Sequence, residues 1–186
     1  MKSPIQTALY RENFFKFILG WLFVFVVRLI PFRPPNIEPV LATQMPFSKH
    51  YGKFAGFLFA FINIVIYDSV TSGIGMWTWV TAFAYGFLGV LAGWFFKNRK
   101  SSWLNYGIFA VIGTLIYDAL TGLTIGPLFF GQPFMEALIG QIPFTLNHLL
   151  GNTAFAVVVS PILYSWVVLN PKLETQSLRR SIFKTV

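Results

Sequence analysis

A chain of 186 residues that is 55% hydrophobic and only 11% charged cannot clothe a water-facing surface, because soluble domains carry about a quarter charged residues. Its net charge of +8 sits in short runs between apolar stretches, with no basic face interleaved with stacking aromatics, which argues against a nucleic-acid binder. The absence of cysteine excludes disulfides, thiolate chemistry and cysteine-ligated metal.

The first long apolar run is Phe14 to Ile30. At 1.5 Å per residue it spans roughly 25 Å, close to the hydrocarbon core of a bilayer. No small-residue cleavage site follows it, so it reads as a retained span after a short cytoplasmic segment, 1–13. Pro31, Pro34 and Pro35 end it. A shorter run from Glu38 to about Ser48 predicts a short second helix sheltered by its neighbours. A third helix is predicted from Tyr51 to Val70, ended by the turn Thr71 to Gly75, and a fourth from Trp77 to Phe96. The basic loop Lys97 to Lys100 leads to a fifth, Trp103 to Leu120, and a Gly/Pro-rich loop, Thr121 to Pro133. Pro143 is expected to divide the segment Phe134 to Leu169 into a short interfacial helix and a sixth span, and Pro161 to kink that span. A basic tail, 170–186, closes the chain.

The expected architecture is therefore one all-α domain, a polytopic membrane bundle of six transmembrane helices. Placing both termini in the cytoplasm leaves only Arg28 and Arg33 outside among the 14 basic residues, as the positive-inside rule asks. Hydrophobicity alone fixed the spans, so the charge count supports them independently.

An internal repeat links Ile66-Tyr67-Asp68-Ser69-Val70-Thr71 to Ile116-Tyr117-Asp118-Ala119-Leu120-Thr121. Each copy is expected to close a helix running outward, as in parallel-repeat transporters, or by shared helix-end chemistry alone. The outer face collects Arg28, Arg33, Asn36, Glu38, Asp68, Thr71, Asp118, Thr121 and Glu136. Ionisable groups at membrane depth pair with each other or line a polar cavity. The pocket reading gives Arg33, Asn36, Asp68, Trp77, Asp118, Asn147, His148 and Asn152 as solute-binding candidates, with Trp77 stacking on the solute. The plainer reading has Asp68 and Asp118 pair with Arg28 and Arg33 and pin helix ends. His148 and Asn152 share a helix face at i, i+4. His50, in a basic inner loop, is too far from His148 to share a metal with it.

Small residues recur at Gly52, Gly56 and Ala60 on the third helix and at Ala82, Gly86, Gly89 and Gly93 on the fourth. Such stripes let helix backbones approach closely, and Gly52, Gly56, Ala60, Gly86, Gly89 and Gly93 are also candidates for docking a partner subunit. The chain carries no GxxxxGK[ST], GxSxG or HExxH motif, so neither ATP hydrolysis nor another enzymatic activity is expected, and no cofactor.

Three segments carry a family resemblance: Arg33 to Val40, Gly75 to Thr78 continuing to Ala84 to Gly93, and Pro143 to His148 continuing to Gly151-Asn152. In order and spacing they resemble the substrate-binding S component of energy-coupling factor transporters. The resemblance implies a six-helix subunit of the plasma membrane that binds a vitamin-like solute from outside. It also implies partners: a transmembrane coupling protein and two ATP-binding cassette ATPases. One departure is that many such proteins carry an Ala-xxx-Ala pattern in the first helix, where this chain has Gly20 as its only small residue between Phe14 and Ile30. The rival readings are an accessory subunit of a larger membrane complex, and a membrane enzyme on lipid-linked substrates with Asp68 and Asp118 as a metal-binding carboxylate pair.

Overall fold

The computed structural model describes residues 4–34, 36–175 and 177, with side chains from residue 13 onward. Lys2, Arg179, Arg180 and Lys184 lie outside the described residues, as does the side chain of Arg11. Among the described residues the chain forms six α-helices and no strand: α1 (Pro4–Arg28), α2 (Val40–Tyr51), α3 (Lys53–Val70), α4 (Met76–Phe95), α5 (Trp103–Phe130) and α6 (Phe134–Leu163). A π-helical turn (Tyr164–Val168) and a 3-10 turn (Pro171–Leu173) follow.

Among the described residues four helices are long and apolar enough to cross a membrane: α3, α4, α5 and α6 with its π-helical extension. α2 is not one of them. Its 12 residues span about 18 Å, and Val40 to Ser48 are all buried. It is the central rod of the bundle, packed on α3, α4, α5 and α6. α1 sits at the edge, where Phe17 meets Phe47 at 4.8 Å between ring centroids, and Phe47 stacks on Phe59 at 4.5 Å.

The exposed surface is apolar and the interior partly polar, the reverse of a soluble bundle. Phe83, Phe87, Ile108, Ile112, Leu150 and Val158 face outward, while Gln44, Ser48, Asn63, Thr114 and Ser160 are buried. That inversion suits a lipid solvent, in which interhelical hydrogen bonds and close backbone packing replace the hydrophobic drive between helices. Gln44 is the central example. Its Nε2 donates to the carbonyls of Gly56 (2.9 Å) and Tyr85 (2.7 Å), clamping α2 to α3 and α4 together. Gln44→Leu removes both bonds at nearly constant volume and is expected to cost about 1–2 kcal/mol. Thermal unfolding in detergent reads this out, and an unchanged midpoint would remove the clamp from this account.

Two predicted breaks are corrected. α5 does not stop at Leu120: Thr121 to Phe130 remain helical, through Pro127, until Gly131 caps the helix at φ 65°. Asp118 and Thr121 therefore lie inside a helix, and only the first copy of the repeat closes one. Gly122 and Gly126, which resemble loop punctuation, are instead packing positions whose absent Cβ atoms make room for the amides of Gln141 and Gln132. α6 likewise runs unbroken past Pro143, because one missing donor does not end a helix held along its length by α5. Near Pro161 the helix passes into the π-helical turn.

The small-residue stripes are also reassigned. Gly56, Ala60, Gly86 and Gly89 are buried, at the contact of α3 with α4. A Cβ on Gly93 would lie 2.8 Å from the Cα of Lys53. Internal helix packing thus occupies Gly56, Ala60, Gly86, Gly89 and Gly93. Gly52 supplies the φ of 89° at the junction of α2 and α3, a conformation that favours glycine.

Charge separates along the bundle. At one end Lys16 Nζ donates to the Val168 carbonyl (3.0 Å) and pairs with Glu174 (3.8 Å), Lys49 reaches the carbonyls of Phe96 and Arg99, and Lys53 lies over Trp94. The opposite end holds Arg28, Glu38 and the residues described next.

Candidate functional site

At the end away from the lysines, four helices and one loop contribute to one buried polar chain. α1 finishes at Arg28, and the loop into α2 supplies Glu38. Arg28 Nε lies 3.3 Å from Glu38 Oε2. Tyr85 of α4 donates its hydroxyl to Glu38 Oε1 at 2.7 Å. The same hydroxyl lies 3.5 Å from His148 Nε2 of α6, whose Nδ1 is 2.7 Å from Asp118 Oδ1 of α5. Tyr85, His148 and Asp118 are each no more than 2% exposed.

Helical spacing builds a second rung beneath the first. Thr114 precedes Asp118 by four residues and Asn152 follows His148 by four, so both pairs share helix faces. Asn152 Nδ2 donates to Thr114 Oγ1 at 2.8 Å. α5 and α6 are thus tied twice, one turn apart. Four polar atoms of this region, Arg28 Nε and Nη1, Asp118 Oδ2 and Asn152 Oδ1, are buried without a hydrogen-bond partner in the protein, Arg28 Nε having only its ion-pair contact with Glu38. Such atoms carry the full cost of desolvation until a donor or acceptor meets them.

The two copies of the repeat play matching parts. In each, threonine donates back to the tyrosine carbonyl four residues earlier: Thr71 to Tyr67 (2.7 Å) and Thr121 to Tyr117 (2.9 Å). In each, the tyrosine ring supports the polar chain. Tyr67 lies beneath the Arg28 guanidinium at 3.8 Å, and Tyr117 packs on Tyr85 (4.3 Å) and His148 (5.4 Å).

Beside the chain, α4, α5, α6 and the loop joining the last two border a half-open cavity of about 460 Å³ lined by Trp77, Thr81, Tyr117, Thr121, Gly122, Ile125, Gly126, Phe130, Gln132, Gln141 and Phe144. Tyr117 and Phe144 join cavity to chain, since both rings also contact His148.

Of the residues predicted from sequence, Asp118, His148 and Asn152 meet in the buried rungs and Trp77 lines the cavity. Arg33 donates to the Ile37 carbonyl, within its own loop. Asn36 adopts φ 66°, and its carbonyl passes over α6 at Gly151, where a Cβ would lie 3.2 Å from it. Asp68 ends α3, its carbonyl accepting from the amides of Thr71 and Gly73. Asn147 is exposed, on a different side of α6 from His148. The expected ion-pair partners change as well: Arg28 pairs with Glu38 and Asp118 with His148. Tyr85, Tyr117 and Thr114 were not singled out from sequence. The tyrosine shared by both repeat copies, and the i, i+4 step from Thr114 to Asp118, are the signals that could have found them.

The chain matches no protein-family model and no solved structure. It is similar to UPF0397 proteins of Staphylococcus aureus, among them those of strains JH9 and Newman, at 29% identity over 119 residues. The match covers 59% of this chain and 62% of each relative, so the chain spans about three fifths of the length of the curated relatives it matches.

Proposed function

We propose that this protein is a membrane-embedded, non-enzymatic binding subunit of a micronutrient importer, taking a vitamin-like solute at the Arg28 end of the bundle. The observation that carries the reading is the buried chain from Arg28 to Asp118 beside the Trp77 cavity. An aromatic-lined cavity with a few polar groups, set beside a buried polar chain, is what a binding site offers a solute. The resemblance to S components of energy-coupling factor transporters supports the same conclusion. On this reading a separate transmembrane coupling protein and two ATP-binding cassette ATPases drive delivery. The chain crosses the plasma membrane six times with both termini cytoplasmic. α2 counts as a crossing because it connects Glu38 to Lys49, the two polar ends, inside a protein sheath. Docking on the coupling protein falls outside the α3–α4 glycine contact.

The test is thermal unfolding of the purified protein across a panel of vitamins. A solute present at a hundred times its Kd adds about 2.7 kcal/mol of stability. A folded sample that shifts with none of them would reject the reading.

One observation favours the accessory-subunit alternative. Arg28 with Glu38, and His148 with Asp118, are already paired within the chain, as pinned helix ends would be. Co-purification with a complex other than a transporter, together with a silent vitamin panel, would select it.

A further inference from the structure

We propose that a cleft between α5 and α6, on the lipid-facing side of the bundle, binds a long-chain alcohol of the membrane, whose hydroxyl donates to the carboxylate oxygen of Asp118 that has no partner in the protein. This is a different cavity from the one lined by Trp77, and its occupancy is independent of what that one holds.

Helical spacing builds the walls. On α5, Leu115, Ala119 and Leu123 follow one another at every fourth residue, and so do Leu138, Ile142 and Leu146 on α6, so each set forms a ridge along its helix. Each ridge runs about 12 Å at 1.5 Å per residue. The two flank a cavity of about 260 Å³. Leu115, Ala119, Leu138, Ile142 and Leu146 are exposed, so the cleft opens onto the apolar surface that lipid covers. Asp118 lies about 22 Å along α5 from Trp103, within the roughly 30 Å of a hydrocarbon core. An occupant therefore arrives from the bilayer and brings an aliphatic body.

The floor sets the head group. Asp118 Oδ1 is taken by His148 at 2.7 Å, while Oδ2 is buried with no hydrogen-bond partner in the protein. Among the described residues Asp118 is the one ionisable group lining the cleft. The two other polar residues there answer each other, Gln141 donating from Nε2 to Thr145 Oγ1 at 3.3 Å. The cleft thus offers one orphaned acceptor in apolar surroundings. A hydroxyl brings one donor to it. A phosphate head would set like charge against the carboxylate. An ammonium would bring three donors to that acceptor and leave two of them unmet away from water. A buried acceptor without a donor is costly, so the alcohol supplies the bond that Asp118 otherwise forgoes.

The test uses the full-length protein in phosphatidylcholine nanodiscs and two photoactivatable probes. They are a diazirine-bearing dodecanol and its methyl ether, which keeps the oxygen but loses the donor. Mass spectrometry locates the labelled peptides, and the half-saturating mole fraction of each probe in the bilayer is read. The alcohol should label the stretches 115–123 and 138–146, and saturate at least about tenfold lower than the ether, the factor that one hydrogen bond to a carboxylate makes. Ala119→Phe fills the cleft without touching the polar chain, and should abolish labelling there by both probes. Asp118→Asn presents an amide from which alcohol and ether can both accept, so the preference between them should fall to about one. Equal saturation by the two probes in the parent protein would overturn the proposal, leaving an apolar groove that any lipid chain fills. So would cleft labelling that survives Ala119→Phe, or a preference that survives Asp118→Asn in protein that still unfolds cooperatively.

Discussion

Asp118→Ala is expected to cost about 1.5–3 kcal/mol of stability, the range for removing a buried hydrogen bond made to a carboxylate. Asp118 and His148 are each 2% exposed and meet at 2.7 Å, so nothing in solvent takes over when the carboxylate is lost. Unfolding in detergent of Asp118→Ala, His148→Ala and the double variant isolates the pair. A coupling of about 1–3 kcal/mol is expected, the double variant losing less than the sum of the two singles. Strict additivity would show that the contact holds nothing. Asn152→Ala, which deletes only the neutral rung to Thr114, should cost less, about 1 kcal/mol.

The contrast between these two rungs also shows what a sequence can reveal about such a site. Membrane residence was legible because lipid demands long apolar helices, and α3 and α4 begin and end within two residues of their predicted limits. Asp118, His148 and Asn152 were legible because polar residues are rare and conspicuous in apolar helices. Their partners were not. Nothing local pairs Asp118 of α5 with His148 of α6 when Arg28 and Arg33 are equally plausible counter-charges, and helix register decides it. Tyr85 was hidden among the aromatics of α4, since only the fold shows that its hydroxyl reaches Glu38 across 47 positions of sequence. The extension of α5 was obscured for the opposite reason. Gly122, Gly126 and Pro127 are strong turn signals in water, where a broken helix can hydrogen-bond to solvent. In lipid the helix continues, and the glycines serve packing instead.

Gly89→Ala tests whether the scaffold and the site are mechanically one object. The added Cβ would collide with the backbone of Gly56, whose carbonyl oxygen lies 2.5 Å from it, and with the Gln44 carboxamide. A flexible side chain could swing away from a new methyl, but the α3 backbone cannot, so α4 must move. Overpacking of this kind costs about 1–3 kcal/mol, and here the upper end is expected because the bonds from Gln44 to Gly56 and Tyr85 are strained at the same time. The consequence reaches the site through geometry. Tyr85 lies one turn before Gly89 on α4, and its hydroxyl bridges Glu38 and His148. Moving α4 outward lengthens both contacts, so Gly89→Ala should weaken solute binding as well as lower the unfolding midpoint. Gly140→Ala is the control: a Cβ there meets open space in helical α6, and alanine should stabilise by about 0.5–1 kcal/mol with binding unchanged. If Gly89→Ala lost stability but bound solute as tightly as the parent, the α3–α4 contact would support the fold without setting the geometry of the Tyr85 bridge.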